Sequence, residues 1–273
     1  MNYKIYSKGK EIAGLQKLEL LQDEEAGVFE SMRAYNGKIS RPEEHLQRLF
    51  ESAKTVGYRP LPDLQGLRGE LTAALQTSGE KDTSVRLTLC HGKVFVIIGA
   101  RGQSGLLYRT GVVLKTASFP RGGPNAFPYQ AKAAAYQQAV LASTEPDPGK
   151  AFDWLFLDRG NFLTETRAGN FFLVKYAKPG GFSPSSVDLL TPPEHLILNG
   201  VARRIVIKCA RERGFRVREV PLTRHDFFNA DEAFLTNTSW EVLPVRELDG
   251  RAIGAKVPGP VTLKLQRLFR RRI

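Results

Sequence analysis

Between residues 118 and 128 the chain reads SFPRGGPNAFP, with three prolines and two glycines in eleven residues. Proline has a fixed φ and no backbone N–H, so neither a helix nor a central strand runs through such a stretch. This break divides the chain into an expected N-terminal lobe over 1–117, a linker over 118–128 and a C-terminal lobe over 129–273. Each lobe is long enough to bury a core of its own.

Both lobes alternate strand and helix signals. In the first, VFESMRAY (28–35) reads as a strand, and Asn36-Gly37-Lys38 as the turn that follows it. Ser40-Arg41-Pro42-Glu43 has the spacing of a capping box, with Ser40 as the cap. Leu46, Leu49, Phe50, Ala53 and Val56 then recur at helical spacing up to Gly57. A second helix is expected over about 63–77, and VRLTLC with KVFVII forms a hairpin around His91-Gly92. The strand GVVLKTA (111–117) ends the lobe.

The second lobe opens with an expected small-residue helix, YQAKAAAYQQAVLAS. DWLFLD and NFLTET pair around Arg159-Gly160, and NFFLVKY is a further strand. PSSVDLLTPP leads to a helix over about 201–213, which Gly214 closes. FRVREV, EAFLT and EVLPVREL add strands. The two lobes are thus of α+β and α/β type, and a cleft between such lobes is a common ligand site.

Composition narrows the function classes. Cys90 and Cys209 are the only cysteines, which excludes a disulfide scaffold and suits a reducing cytoplasm. Neither has a partner at zinc-ligand spacing, so no metal is expected. The longest apolar runs are strand-sized, far short of the ~20 residues of a membrane span, and no signal-peptide core is expected at the N-terminus. Forty Lys and Arg against 28 Asp and Glu give a net charge of +12. Such charge admits nucleic acid, an anionic surface or small acidic ligands. Outside the terminal LKLQRLFRRRI the excess is dispersed, and no helix-turn-helix, RNP or zinc-finger pattern supports nucleic acid. The basic terminus reads as a solvated helix with a frayed tail.

Several residues invite chemistry without deciding it one by one. Lys132 stands among alanines, where a flat cofactor can approach closely. A desolvated lysine can form a Schiff base, although most helix lysines are merely exposed. Glu165 follows a strand and precedes a Gly-Asn turn, but a strand-end glutamate is ordinarily solvated. The amides of Val201 and Ala202 open a helix and suit an anion, as those of every helix do. The stretch from Leu235 to Ser239 ends a strand with hydroxyls and amides, and Arg48 reads as an ordinary helix arginine.

Taken together and in order, these segments resemble the class IV pyridoxal-phosphate (PLP) aminotransferases, over about residues 26–262. That family includes branched-chain aminotransferases, D-amino-acid aminotransferases and aminodeoxychorismate lyases. The resemblance rests on GVFESMRAYNGK, EEHLQRLFESAK, the lysine at 132, FLTETRAGNFFLV, LLTPPEHLILNGVARRIVI and DEAFLTNTSWEVLPVRELDG. It implies a fold type IV PLP enzyme, with two α/β lobes holding the cofactor in the cleft between them, in a cytoplasmic homodimer. Lys132 is then the lysine that bonds PLP and shuttles the substrate's proton. Glu165 keeps the pyridine nitrogen protonated. Arg48, the amides of Val201 and Ala202, and the Thr238 hydroxyl hold the phosphate. Arg86 and Ser239 serve the substrate carboxylate, and His45 and Asn170 are structural.

This sequence departs from the family at four places. It has LELLQDEEAG before the VFE block, Ser84 where branched-chain enzymes often have a tyrosine, AAAY after the lysine, and Trp240 where a small residue is expected beside the pocket. The expected activity is amino transfer between a hydrophobic, branched-chain amino acid and a 2-oxo acid. The alternatives are an aminodeoxychorismate lyase forming 4-aminobenzoate and pyruvate, a D-amino-acid transaminase, or a non-catalytic basic protein that binds anions or nucleic acid.

Overall fold

The computed structural model describes residues 3–12, 27–61, 63–90, 92–99, 105–121, 130–133, 151–177 and 183–273. The chain forms two compact units. The first takes in Met1–Gly102, Ala131–Gln137 and the terminal Ile273, and the second Gln103–Gln130 and Gln138–Arg272. This division differs from the sequence boundaries because strand β7 (Val112–Thr116) pairs with strands of the second sheet. Residues beside Lys132, in turn, bond to the first unit. Most of the expected linker and most of the small-residue helix lie outside the described residues, as do His91 and the LELLQDEEA stretch.

The first unit is a six-stranded sheet in the order β2-β1-β6-β5-β3-β4, with every neighbouring pair antiparallel. Its strands are β1 (Tyr3–Ser7), β2 (Lys10–Ile12), β3 (Val28–Tyr35), β4 (Lys38–Ile39), β5 (Thr83–Cys90) and β6 (Lys93–Gly99). Strand β3 alternates buried and half-buried residues along its whole length, as a strand with one face on the core must. Val28, Met32 and Ala34 on that face share a core with Leu46, Leu49 and Ala53 of helix α1 (Pro42–Thr55). Leu67, Leu71 and Leu75 of helix α2 (Leu64–Ser78) complete it, each burial contributing about 1.5–3 kcal/mol.

Ser40 does not cap α1. Proline is favoured at the first helical position, so Pro42 starts the helix and the cap position falls on Arg41, which is left-handed at φ 53 and caps nothing with its side chain. Helix α2 begins conventionally, with the Asp63 carboxylate accepting from the N–H groups of Gln65 and Gly66.

The second unit has a nine-stranded mixed sheet. The path runs β12-β11-β10-β13-β14-β7-β8-β9, with β15 (Arg251–Ala252) paired to β14 (Glu241–Leu248). The others are β8 (Asp153–Leu157), β9 (Leu163–Thr166), β10 (Asn170–Tyr176), β11 (Val187–Thr191), β12 (Arg216–Glu219) and β13 (Glu232–Asn237). Among the described residues, the α-helices of this unit are the one-turn α3 (Leu107–Thr110), α4 (Val201–Glu212), α5 (Arg224–Phe228) and α6 (Pro260–Arg270).

The basic terminus is a helix with one packed face, while Arg267, Arg270, Arg271 and Arg272 stay exposed. Val261, Thr262, Leu265 and Phe269 of α6 are buried, and the Glu232 carboxylate accepts from the N–H groups of Val261 and Thr262 at 2.9 and 2.8 Å. The approach is so close that a Cβ on Gly259 would fall 2.0 Å from Glu232 Cδ. Part of the cationic charge is also spent locally, since Arg270 pairs with Glu241 and Lys264 lies over the Phe215 ring. No helix among the described residues is long and apolar enough to cross a membrane.

Candidate active site

In the first unit, α1 lays His45, Arg48 and Ser52 on its buried face, at the i, i+3, i+7 spacing that lines one side of a helix. Glu30, on the core-facing side of β3, meets the first two. Its Oε1 accepts from Arg48 Nε at 2.6 Å, and its Oε2 lies 2.8 Å from Arg48 Nη2 and 2.7 Å from His45 Nδ1. Burial pushes the Glu30 carboxyl up, but Arg48 and His45 outweigh it and hold the group well below the usual carboxylate range. Burial likewise lowers the His45 pKa, so the ring is neutral and donates through Nδ1. His45 is therefore structural, as expected, and Arg48 is gripped on one edge of its guanidinium by Glu30.

Ser52 reaches further. Its Oγ accepts the Lys132 N–H at 3.0 Å, while the Lys132 carbonyl accepts from Phe29 N–H at 3.2 Å and Ala133 bridges to Val28. Lys132 is thus not in a helix start, as its alanine-rich surroundings suggested. It lies on the edge of β3, where unpaired backbone groups were available to bind it. With its backbone bonded on both sides, its ammonium nitrogen stands 4.5 Å from the centre of the Phe29 ring. Arg86, opposite Ser31 on β5 and so diagonal to Phe29, places its guanidinium 4.0 Å from the same ring centre. Lys132 and Arg86, linked only through family resemblance in the sequence, are neighbours on one aromatic side chain.

The second unit gathers its groups around Glu165 on β9, which is 4% exposed. Asn170 Nδ2 donates to Oε2 at 2.7 Å, Leu198 N–H donates to Oε1 at 3.2 Å, and Arg121 forms an ion pair with Oε1. Asn170 also donates to the Leu198 carbonyl, tying β10 to the loop before α4. At the end of that loop a Cβ on Gly200 would lie 2.2 Å from Asn170 Oδ1, so only glycine permits this approach. Helix α4 follows at once, with no side-chain cap on its first turn and with Val201 and Ala202 buried. Arg203, 1% exposed, bolts that turn down by donating to the Pro192 carbonyl at 3.0 Å and to Glu219 at 2.8 Å.

Thr238 and Ser239 occupy the turn between β13 and β14. The Ser239 N–H donates to Asn237 Oδ1 at 2.6 Å, so this amide serves the turn itself. The Trp240 ring packs in the core of the second unit, edge-on to Phe152 at 5.1 Å. Sequence reasoning passed over Glu30, Ser52 and Arg203, all of which lie in the quoted family blocks and could have been found there. It also passed over Arg121, which carries no such signal within SFPRGG.

The chemistry of each unit suits part of PLP. In the first, a lysine held over an apolar ring suits an aldehyde; in the second, a buried carboxylate ringed by donors and an uncapped helix start suit a pyridinium nitrogen and a phosphate. The profile of the class IV amino-transferases matches residues 27–248. A branched-chain-amino-acid aminotransferase of Pseudomonas aeruginosa is 32% identical over 265 residues, covering 89% of this chain and 82% of that protein. A D-alanine aminotransferase of Bacillus licheniformis is 27% identical, covering 88% and 85%. Among solved structures, the Escherichia coli branched-chain amino acid aminotransferase superposes with a TM-score of 0.82 at 26% identity, covering 97% of this chain and 92% of that one. A further branched-chain amino acid aminotransferase, solved with pyridoxamine 5'-phosphate, superposes with a TM-score of 0.83 at 25% identity, covering 98% and 92%. The chain belongs to the class IV aminotransferases, a family of PLP-dependent enzymes.

Proposed function

We propose that this protein transfers the amino group of a branched-chain amino acid to a 2-oxo acid, as a cytoplasmic homodimer. The observation that carries the chemistry is Lys132, fastened through both its N–H and its C=O with its amine over the Phe29 ring, on which Arg86 also lies. A backbone pinned in this way leaves only the side chain to move, as a residue that both bonds a cofactor and carries a proton requires. PLP, when bound, would supply the electron sink that lets the substrate Cα lose its proton. Lys132 would take up and release that proton at Nζ. Glu165 keeps the ring nitrogen protonated. Arg48, the Val201 and Ala202 amides and the Thr238 hydroxyl hold the phosphate, while Arg86 and the Ser239 turn orient the substrate carboxylate. The branched-chain donor is supported by the Pseudomonas aeruginosa relative, and a D-amino acid is the second reading, supported by the Bacillus licheniformis one.

The test is a panel of half-reactions on the PLP-loaded protein, following loss of the cofactor's visible band with each amino acid in turn. L-Leucine, L-isoleucine and L-valine are expected to discharge the band fastest, and Lys132→Ala to abolish the response. Discharge by D-amino acids alone selects the second reading. Silence toward every amino acid, or formation of 4-aminobenzoate from aminodeoxychorismate in its place, overturns the transaminase.

A further inference from the structure

Arg121 is an arginine without a task in the chemistry described so far, yet it is 2% exposed and paired with Glu165. Its segment continues the line of β7 alongside β8 in the second sheet. Ala117 N–H donates to the Leu155 carbonyl at 2.9 Å, Arg121 N–H donates to the Leu157 carbonyl at 2.6 Å, and the Phe119 ring tilts against Phe156 at 5.8 Å. Residues 117–121 therefore run beside β8, and the guanidinium is delivered to the neighbouring strand β9 from an anchored backbone. A buried guanidinium on a buried carboxylate is costly unless the geometry is maintained, and here both partners are held.

We propose that Arg121 is a positioning residue for amino transfer, acting through Glu165 to keep the shared proton on the cofactor's ring nitrogen rather than on the carboxyl. The proposal rests on the reading that Glu165 serves that nitrogen. A carboxyl and a pyridine nitrogen in contact share one proton, which sits either on oxygen, with both groups neutral, or on nitrogen, with carboxylate facing pyridinium. The number of protons is the same in both arrangements. Burial alone favours the neutral pair, because low polarity penalises separated charge. The hydrogen bonds from Asn170 and Leu198 come from neutral donors, whereas Arg121 brings a full positive charge to Oε1. A proton on the carboxyl lies beside that charge, and moving it to the ring nitrogen takes it away. Arg121 therefore favours the pyridinium, the form that accepts electrons from the substrate carbon.

The test uses holoenzyme loaded with PLP labelled with 15N at the ring nitrogen, comparing wild type with Arg121→Met, Arg121→Gln and Arg121→Lys. The wild-type nitrogen is expected to resonate as protonated. In the two neutral variants it shifts toward the unprotonated position, and kcat for amino transfer falls about 100-fold with KM changed less than threefold. Lysine keeps the charge and recovers the protonated signal and most of kcat. If the neutral variants fold, bind PLP and keep both the protonated nitrogen and kcat within threefold of wild type, the proposal is wrong. If neither neutral variant folds, Arg121 is a structural residue and the proposal is equally lost. Failure of the reading beneath it looks different: wild-type protein then binds no PLP, converts no amino acid, or carries an unprotonated nitrogen before any substitution is made.

Discussion

Each unit buries a glutamate against an arginine, and the two pairs are built in opposite ways. Glu30 is 0% exposed and takes its three bonds from two side chains of a single helix, 15 and 18 residues further along the chain. Glu165 draws on three separate segments: Arg121 before it, Asn170 after it and the Leu198 backbone beyond. The first arrangement is complete once one strand and one helix dock. The second exists only when most of its unit has folded, and it is tied through Leu198 and Gly200 to the start of α4. A carboxylate serving a local fold needs few, strong partners, whereas one serving a ligand needs its position defined from several directions.

That contrast is broken most directly at Glu30. Glu30→Gln leaves the Arg48 guanidinium buried without its counter-charge, and removing one partner of such a pair costs about 3–5 kcal/mol. Urea melts are expected to show this loss with an unchanged m-value. A change below 1 kcal/mol would mean that the Glu30 carboxylate is not what holds the Arg48 guanidinium in the core.

Glu165→Gln adds a loss of chemistry to the loss of stability. The amide still fills the space and can accept from Asn170, but it leaves the Arg121 guanidinium buried without its counter-charge, so about 3–5 kcal/mol is lost here too, while kcat of the folded variant falls by about 100-fold through loss of a charge aimed at the reacting group. A folded variant with a lowered urea midpoint and slow half-reactions is the expected result. Wild-type kcat in Glu165→Gln would remove the residue from the chemistry.

The same contrast explains what could be read in the sequence. Strand β3 coincides with the apolar alternation of VFESMRAY, and α2 spans Leu64–Ser78 where spacing and turn residues indicate a helix over 63–77. Those signals are local. Strands β1, β2 and β11 were passed over because they are short or sit in polar stretches, and pairing rather than pattern defines them. The Arg121–Glu165 pair joins residues with no common periodicity, so only the folded sheet brings them together. Lys132 misleads in the other direction, because its alanines suggest a helix while Phe29 and Ser52 hold it extended along β3. Trp240 follows the Thr238-Ser239 turn directly in sequence, but its ring contact with Phe152 is one that only the folded chain brings together.

A third buried carboxylate sharpens the comparison by what it lacks. Asp153 is 1% exposed and accepts from the N–H groups of Trp154 and Ala168, but Arg167 stands 3.4 Å away and is itself 32% exposed. Burial wins over that partly solvated cation and pushes the Asp153 carboxyl up to about 6. The sign of its linkage is therefore opposite to that of Glu30. Between the unfolded value near 4 and the folded value of about 6, the folded state holds a proton that the unfolded chain has released. Asp153 thus contributes stability at acid pH that is lost as pH rises through this window, up to roughly 3 kcal/mol. Glu30 contributes stability at neutral pH that is lost on acidification below its unfolded value. His45, neutral when buried, also opposes acidification, so the measurement to make is a difference: wild type minus Asp153→Asn, by urea melts from pH 4 to pH 8. The difference is expected to fall from pH 4 to about 6 and then stay flat. A difference that is constant across this range would mean that a half-exposed arginine holds a buried carboxylate as firmly as the sequestered guanidinium of Arg48 does, and the distinction between the pairs would then lie in geometry alone.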